Sequence, residues 1–325
     1  MKTISVVVPT YNEEDNVMDV YRRIRQVFSE KLPDYRLKLQ FIDNCSTDHT
    51  RELIRSLCER DEDVQAIFNA KNFGYNRSLF YGLSQAEGDC AVLINADMQD
   101  PPEVIPRFVA EWEAGYKIVA GVKTQSRENP VMYFFRSIYY YLMKHSTEID
   151  HIEHFDGFGL YDQEFIRVLR EMDDPLPYLR GIVAELGFKR KDIEYEQVKR
   201  KKGKTHFRFF ALYDLAMLGI TSYSKVIMHC CTILGGILAV VSALIAVVTL
   251  FMKLFAWDSF PMGTAAMVIG IFFLGAVQLF FIGFVGEYVV NINARVMRHP
   301  LVVEETRLNF ETENVERLYE TKITQ

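Results

Sequence analysis

Apolar residues come in short runs through the first 125 positions: ISVVV (4–8), LQFID (39–43), VQAIF (64–68), CAVLIN (90–95) and YKIVAGV (116–122). Runs of this length, bounded by turn-forming residues, predict buried strands. Between them the spacing changes. Val17, Val20, Tyr21, Ile24, Val27 and Phe28 recur at helical intervals, as do Leu53, Ile54 and Leu57 after the cap-like Ser46-Thr47. Strands alternating with amphipathic helices predict an α/β fold built on a mainly parallel sheet.

Beyond this region the pattern changes twice. The segment 131–146, VMYFFRSIYYYLMKHS, is dense in aromatics with Arg136 and Lys144 at its edges, and HFRFFALYDLAMLGI (206–220) repeats that character. Both suit helices at a membrane surface, where aromatic rings sit between water and lipid; for 131–146 a core helix fits equally. Two stretches then lack charge altogether, one between Lys225 and Lys253 and one between Asp258 and Glu287. Each exceeds the roughly 20 residues needed to cross a hydrocarbon core.

The chain therefore divides into a globular domain (1–205), an amphipathic lead-in helix (206–224), a transmembrane hairpin (225–290, spans about 226–252 and 262–286) and a tail (291–325). Basic residues flank the hairpin: Lys199, Arg200, Lys201, Lys202, Lys204 and Arg208 before it, Arg295 and Arg298 after it. The link between the spans has one, Lys253. That asymmetry puts both ends on the cytoplasmic side. The expectation is an integral membrane protein, of the inner membrane if bacterial, and the N terminus shows neither a basic n-region nor a cleavage site.

Composition narrows the function classes. The net charge of −6 gives no support to nucleic-acid binding. Five cysteines without C-x-x-C spacing suggest neither a disulfide framework nor a zinc site. No G-x-G-x-x-G follows any strand, and Gly203-Lys204-Thr205 lacks the upstream glycine of a P-loop because position 198 is Val198. What remains is a set of polar motifs at strand ends: PTYNEEDN (9–16), IDNCSTDHT (42–50) and NADMQDPPE (95–103). Carboxyl ends of parallel strands share one crevice. Oxygen-rich tips there point to a hard cation carrying a phosphate.

With these motifs the chain resembles family 2 glycosyltransferases, in particular polyprenyl-phosphate sugar transferases of the dolichyl-phosphate mannose synthase and bactoprenol glucosyltransferase type, over nearly its whole length. The resemblance implies a GT-A-like fold and a nucleoside-diphosphate sugar donor, UDP-sugar favoured. Pro9, Tyr11, Glu13 and Asp43 would hold base and ribose. Asn95, Asp97 and Gln99 would take the place of the D-x-D-x-Q motif that holds Mg2+ or Mn2+ and the pyrophosphate, Asn95 removing one formal charge. Asn44 stands where many members carry a second Asp. HFDGFGLYDQEF (154–165) resembles the acceptor loop, with Asp156 as the carboxylate facing the nucleophile and Asp162 in reserve. Arg180, Arg200, Lys202 and Lys204 fall where the resemblance implies basic elements suited to an anionic lipid headgroup or the departing diphosphate.

The reaction implied is inverting transfer of a sugar to a polyprenyl phosphate. A processive or other polysaccharide synthase of the same family is the enzyme alternative, although neither Trp112 nor Trp257 completes a Q-x-x-R-W motif. A non-catalytic membrane scaffold is the other, and assembly into a homo-oligomer stays open.

Overall fold

The computed structural model describes residues 1–124, 152, 154–172, 174–198, 264–297 and 299–310, with six isolated helical positions between 217 and 244. The surface helix expected over 131–146, the lead-in helix (apart from Met217) and most of the first span lie outside the described residues, as do Arg200, Lys202 and Lys204.

The alternating half of the chain folds as strand β1 (Lys2–Thr10), helix α1 (Val17–Lys31), β2 (Tyr35–Asp43), α2 (Thr50–Arg60), β3 (Val64–Asn69), α3 (Tyr75–Ser84), β4 (Cys90–Leu93), α4 (Ile105–Glu113) and β5 (Ile118–Lys123). Then come β6 (Gly159–Asp162), α5 (Gln163–Glu171), α6 (Leu179–Glu185), β7 (Arg190–Tyr195), α7 (Thr264–Val296) and β8 (Glu304–Leu308). The eight strands form one sheet in the order β7-β5-β6-β4-β1-β2-β3-β8. β1 pairs in parallel with β2 and β4, β2 with β3, and β5 with β7; β6 and β8 run antiparallel to their neighbours.

Ile4, Val6, Val7 and Val8 are all fully buried, because β1 at the centre is covered on both faces. On α1 the buried residues are Val17, Val20, Ile24, Val27 and Phe28, one helical stripe against the sheet. One helix begins differently from the expectation. Thr50, not Ser46-Thr47, starts α2, because those two side chains are used inside the preceding loop. α3 falls in the interval where the alternation called for a helix without marking its residues, and it follows Gly74, whose φ of +90° is a conformation few other residues adopt.

The segment read as one acceptor loop contains β6. Gly159 permits it: a Cβ there would stand 2.5 Å from the Val119 carbonyl oxygen of β5. Met297–Gln325 groups with Met1–Phe135 and Asp150–Arg208, while Arg136–Ile149 and Phe209–Val296 form a second unit. Residues after α7 thus return to the first unit, where β8 closes the edge beyond β3.

In the second unit α7 is 33 residues long and carries exposed Met267, Ile271, Leu279, Ile282, Val289 and Val290. Among the described residues it is the one helix long and apolar enough to cross a membrane, most clearly over Val277–Val296. It runs ten residues past the expected end at 286, because Glu287, Asn291 and Asn293 are polar without breaking a helix. Pro300, which cannot continue one, comes shortly after its end.

Candidate active site

The first two motifs are laced together where β1 and β2 end side by side, Thr10 opposite Asp43. Asn12, at φ +55°, turns the chain, and its side chain accepts from the Thr47 backbone N–H at 2.8 Å. Its own N–H donates to Ser46 Oγ and that of Glu13 to Thr50 Oγ1, both at 2.9 Å. Pro9 is buried in the strand, while Tyr11 and Glu13 are half-buried on the loop after it.

Asp43 is buried at the end of β2. Its carboxylate is 1% exposed, accepts from the Ser46 backbone N–H and hydroxyl, and lies 3.2 Å from Arg51 Nε. Burial raises its pKa above the usual carboxylate value, against the Ser46 bonds and the Arg51 charge. Asn44 takes a structural part as well: its amide donates to Asn72 and accepts from Asn69 and the Phe73 N–H, fixing the loop that leads into α3.

The third motif begins where β4 stops at Leu93. Asn95, Asp97 and Gln99 are half-buried there, and Asp97 Oδ1 accepts the Gln99 N–H at 3.2 Å. The Asn95 amide is engaged at both ends. Its oxygen accepts from the Tyr75 hydroxyl at 2.6 Å and its nitrogen donates to Asp100 Oδ2 at 2.9 Å. Asp100 is 1% exposed and its other oxygen accepts from the Tyr195 hydroxyl at 2.5 Å. Burial, then the nearby Asp156 charge, push the Asp100 carboxyl up to about 7, opposed by Lys123 and these hydrogen bonds.

The direction of β6 separates the two acceptor-side carboxylates. β6 is antiparallel to β4, with Gly159 opposite Leu93 and Asp162 opposite Cys90. Asp156 therefore enters at the same sheet edge as Asn95–Asp100, and Asp162 leaves at the far edge. There Asp162 caps α5 through the Glu164 N–H and accepts from Trp112 Nε1 at 2.7 Å and Lys117 Nζ at 3.2 Å. Asp156 is instead 20% exposed and ion-paired with Lys123 Nζ at 2.5 Å. Tyr161 donates its hydroxyl to the Gly157 carbonyl at 2.6 Å and so holds the turn beside it. Arg180 is half-buried near the start of α6.

Three residues of this cluster were not singled out from the sequence: Tyr75, Lys123 and Tyr195. For Lys123 a signal existed, since it is the last residue of β5 and so stands at a strand's carboxyl end. Tyr75 and Tyr195 offered none, because their partners lie 20 and 95 positions away.

Among the described residues no three His, Cys, Asp or Glu side chains gather as a metal cage. Mg2+ needs less when substrate phosphates supply further oxygens; one or two carboxylates suffice. Asp97 with Gln99 beside it fits that arrangement. Asn95 fits less well, its nitrogen being committed to Asp100 and one oxygen lone pair to Tyr75.

Three relatives extend over nearly the whole chain. An uncharacterised glycosyltransferase of Bacillus subtilis, YkcC, is 29% identical over 96% of each chain. The bactoprenol glucosyl transferase of Shigella phage SfX is 30% identical over 94% of this chain and 99% of its own, and the prophage bactoprenol glucosyl transferase homolog of Escherichia coli K12 is 30% identical over 91% and 96%. Residues 5–170, which hold every motif described above, match the model of glycosyl transferase family 2. With its polar motifs gathered at the carboxyl edge of an α/β sheet, the chain belongs to that family.

Proposed function

We propose that this glycosyltransferase moves a sugar from a nucleoside-diphosphate sugar, a UDP-sugar by preference, to the phosphate of a polyprenyl lipid at the cytoplasmic face of a membrane, with inversion at the anomeric carbon. The observation that carries the reading is the convergence of Asp97, Asp100, Asp156 and Lys123 at one sheet edge, next to the interlaced loops after β1 and β2. The near full-length similarity to bactoprenol glucosyl transferases supports the acceptor class. The apolar helix α7 supports the membrane setting.

Pro9, Tyr11 and Glu13 border the base and ribose, over a floor set by Asp43. Asp97 and Gln99 hold Mg2+ or Mn2+ against the diphosphate, where the ion supplies charge neutralisation for the leaving group. Asp156 faces the acceptor. A phosphate monoester with a second pKa of about 6 arrives mostly ionised at neutral pH, so Asp156, held by Lys123, orients the nucleophile more than it removes a proton. Arg180, with Arg200, Lys202 and Lys204 from the basic stretch before the spans, receives the lipid headgroup. One in-line displacement needs no enzyme nucleophile and inverts the anomeric centre.

Membranes containing the protein, given labelled UDP- and GDP-sugars with polyprenyl phosphate, should move label into the organic phase with one donor class. Label that stays water-soluble with every donor refutes the reading.

A further inference from the structure

We infer that Asn95 is a positioning residue, the amide link in a chain of hydrogen bonds from Tyr75 through Asp100 to Tyr195, and that an acid at this position would damage the site instead of improving its hold on a metal ion. The inference rests on the donor-site reading above and assigns within it a residue that a D-x-D reading would make a ligand.

The links are short and join distant parts of the chain. The Tyr75 hydroxyl, at the start of α3, donates to Asn95 Oδ1 at 2.6 Å; Asn95 Nδ2 donates to Asp100 Oδ2 at 2.9 Å; the Tyr195 hydroxyl, at the end of β7, donates to Asp100 Oδ1 at 2.5 Å. The neutral amide does both jobs at position 95 without taking up a proton. It must accept from a hydroxyl on one side and donate to a carboxylate on the other, and an ionised acid side chain has no donor. A carboxylate built there would set a second negative oxygen where the amide nitrogen now lies, 2.9 Å from Asp100 Oδ2. Like charges that close disfavour one another's ionised form.

The link also has a mechanical consequence. The loop before α3 is already fastened to the end of β2, through the Phe73 N–H on Asn44 Oδ1 at 2.9 Å. Asn95 fastens the first residue of α3 to the end of β4. The two donor-side motifs are thereby both fastened to the start of α3, Asn44 through Phe73 and Asn95 through Tyr75. Asn44 and Asn95 both serve as hydrogen-bond bridges in the structure.

The test uses the full-length protein in lipid nanodiscs and compares the parent with Asn95→Asp, Asn95→Ala, Asp97→Asn and the exchange Asn95→Asp/Asp100→Asn. Three quantities are read: kcat, the donor KM, and Mn2+ affinity in the presence of UDP by calorimetry. Asn95→Asp should lower kcat by about tenfold or more and leave Mn2+ affinity within about threefold of the parent. The exchange restores a donor facing an acceptor, with the roles reversed, and should recover kcat to within about threefold. Asn95→Ala should lower kcat with little change in Mn2+ affinity, whereas Asp97→Asn should weaken Mn2+ binding by about tenfold or more. Tighter Mn2+ binding by Asn95→Asp with kcat retained, or an exchange no better than Asn95→Asp alone, overturns the assignment. Absence of UDP binding by the parent refutes the donor reading itself, a result separate from either.

Discussion

Arg51 connects two parts of the first unit that are 254 residues apart in sequence, and its loss has a calculable effect. Its Nε lies 3.2 Å from the buried Asp43 carboxylate, and its Nη2 donates to Glu305 of β8 at 2.8 Å. The guanidinium also stands 5.1 Å from the Phe68 ring centroid. In Arg51→Gln the Asp43 charge, 1% exposed, loses its cation. Removing one partner of a buried pair costs about 3–5 kcal/mol, and since Arg51 is itself 22% exposed the low end, about 3 kcal/mol, applies. For a domain of this size that corresponds to a fall in Tm of roughly 6–12 °C, at about 2–4 °C per kcal/mol. Glu305→Gln breaks the other arm of the same guanidinium, but Glu305 is 46% exposed. An exposed pair is worth at most about 1 kcal/mol, so Tm should fall by no more than about 4 °C. Thermal unfolding of the detergent-solubilised protein, followed by tryptophan fluorescence, measures both. In the double variant Arg51→Gln/Asp43→Asn both charges are gone, and much of the loss should return. If Arg51→Gln unfolds within about 2 °C of the parent, or Glu305→Gln is equally damaging, the buried-pair argument fails.

Asp156→Asn should lower kcat by about 10²-fold or more while the donor KM changes little, measured with saturating lipid; equal losses in both would move the residue to the donor side. Asp162→Ala removes a helix cap and orphans Trp112 Nε1, costing about 3 kcal/mol of stability with kcat per folded molecule unchanged. Partial burial pushes the Asp162 pKa up, but the bonds from Trp112, the Glu164 N–H and Lys117 outweigh it and hold the value below the ordinary one. Its stabilisation is therefore complete above the ordinary carboxylate range and lost as pH falls through the lowered value, so the Tm difference between parent and Asp162→Ala should shrink in acid; a constant difference would contradict this. A reporter after Gln325 should face the cytoplasm and one inserted near Asp258 the outside, and the opposite pattern would separate the active site from cytoplasmic nucleotide sugars.

The central strands were legible because each is a run of apolar residues with both faces covered. The expected runs at 4–8, 39–43 and 64–68 fall inside β1, β2 and β3. The outer strands hid for the converse reason. β7, RKDIEY, and β8, EETRL, lie at the two edges of the sheet and are so rich in charged residues that neither reads as an apolar run. β6 has only four residues and reads as a turn until the close approach of Gly159 to β5 is seen.

The site was legible to the extent that strand tips reveal it. PTYNE, IDN and NADMQD all stand at carboxyl ends of parallel strands, where an open sheet binds ligands. The choice between Asp156 and Asp162 was not legible, because it depends on the direction in which β6 runs. Nor was the part played by Asn95. An amide in place of an acid looks like a lost ligand until Asp100 is found 2.9 Å away.

The account stands most directly on the lipid product. The purified protein in nanodiscs, supplied with Mg2+, polyprenyl phosphate and a panel of UDP- and GDP-sugars, should yield with one donor a lipid heavier by a single sugar residue, its anomeric configuration opposite to that of the donor. A product with retained configuration, a growing oligosaccharide, or no lipid-linked sugar from any donor would contradict it.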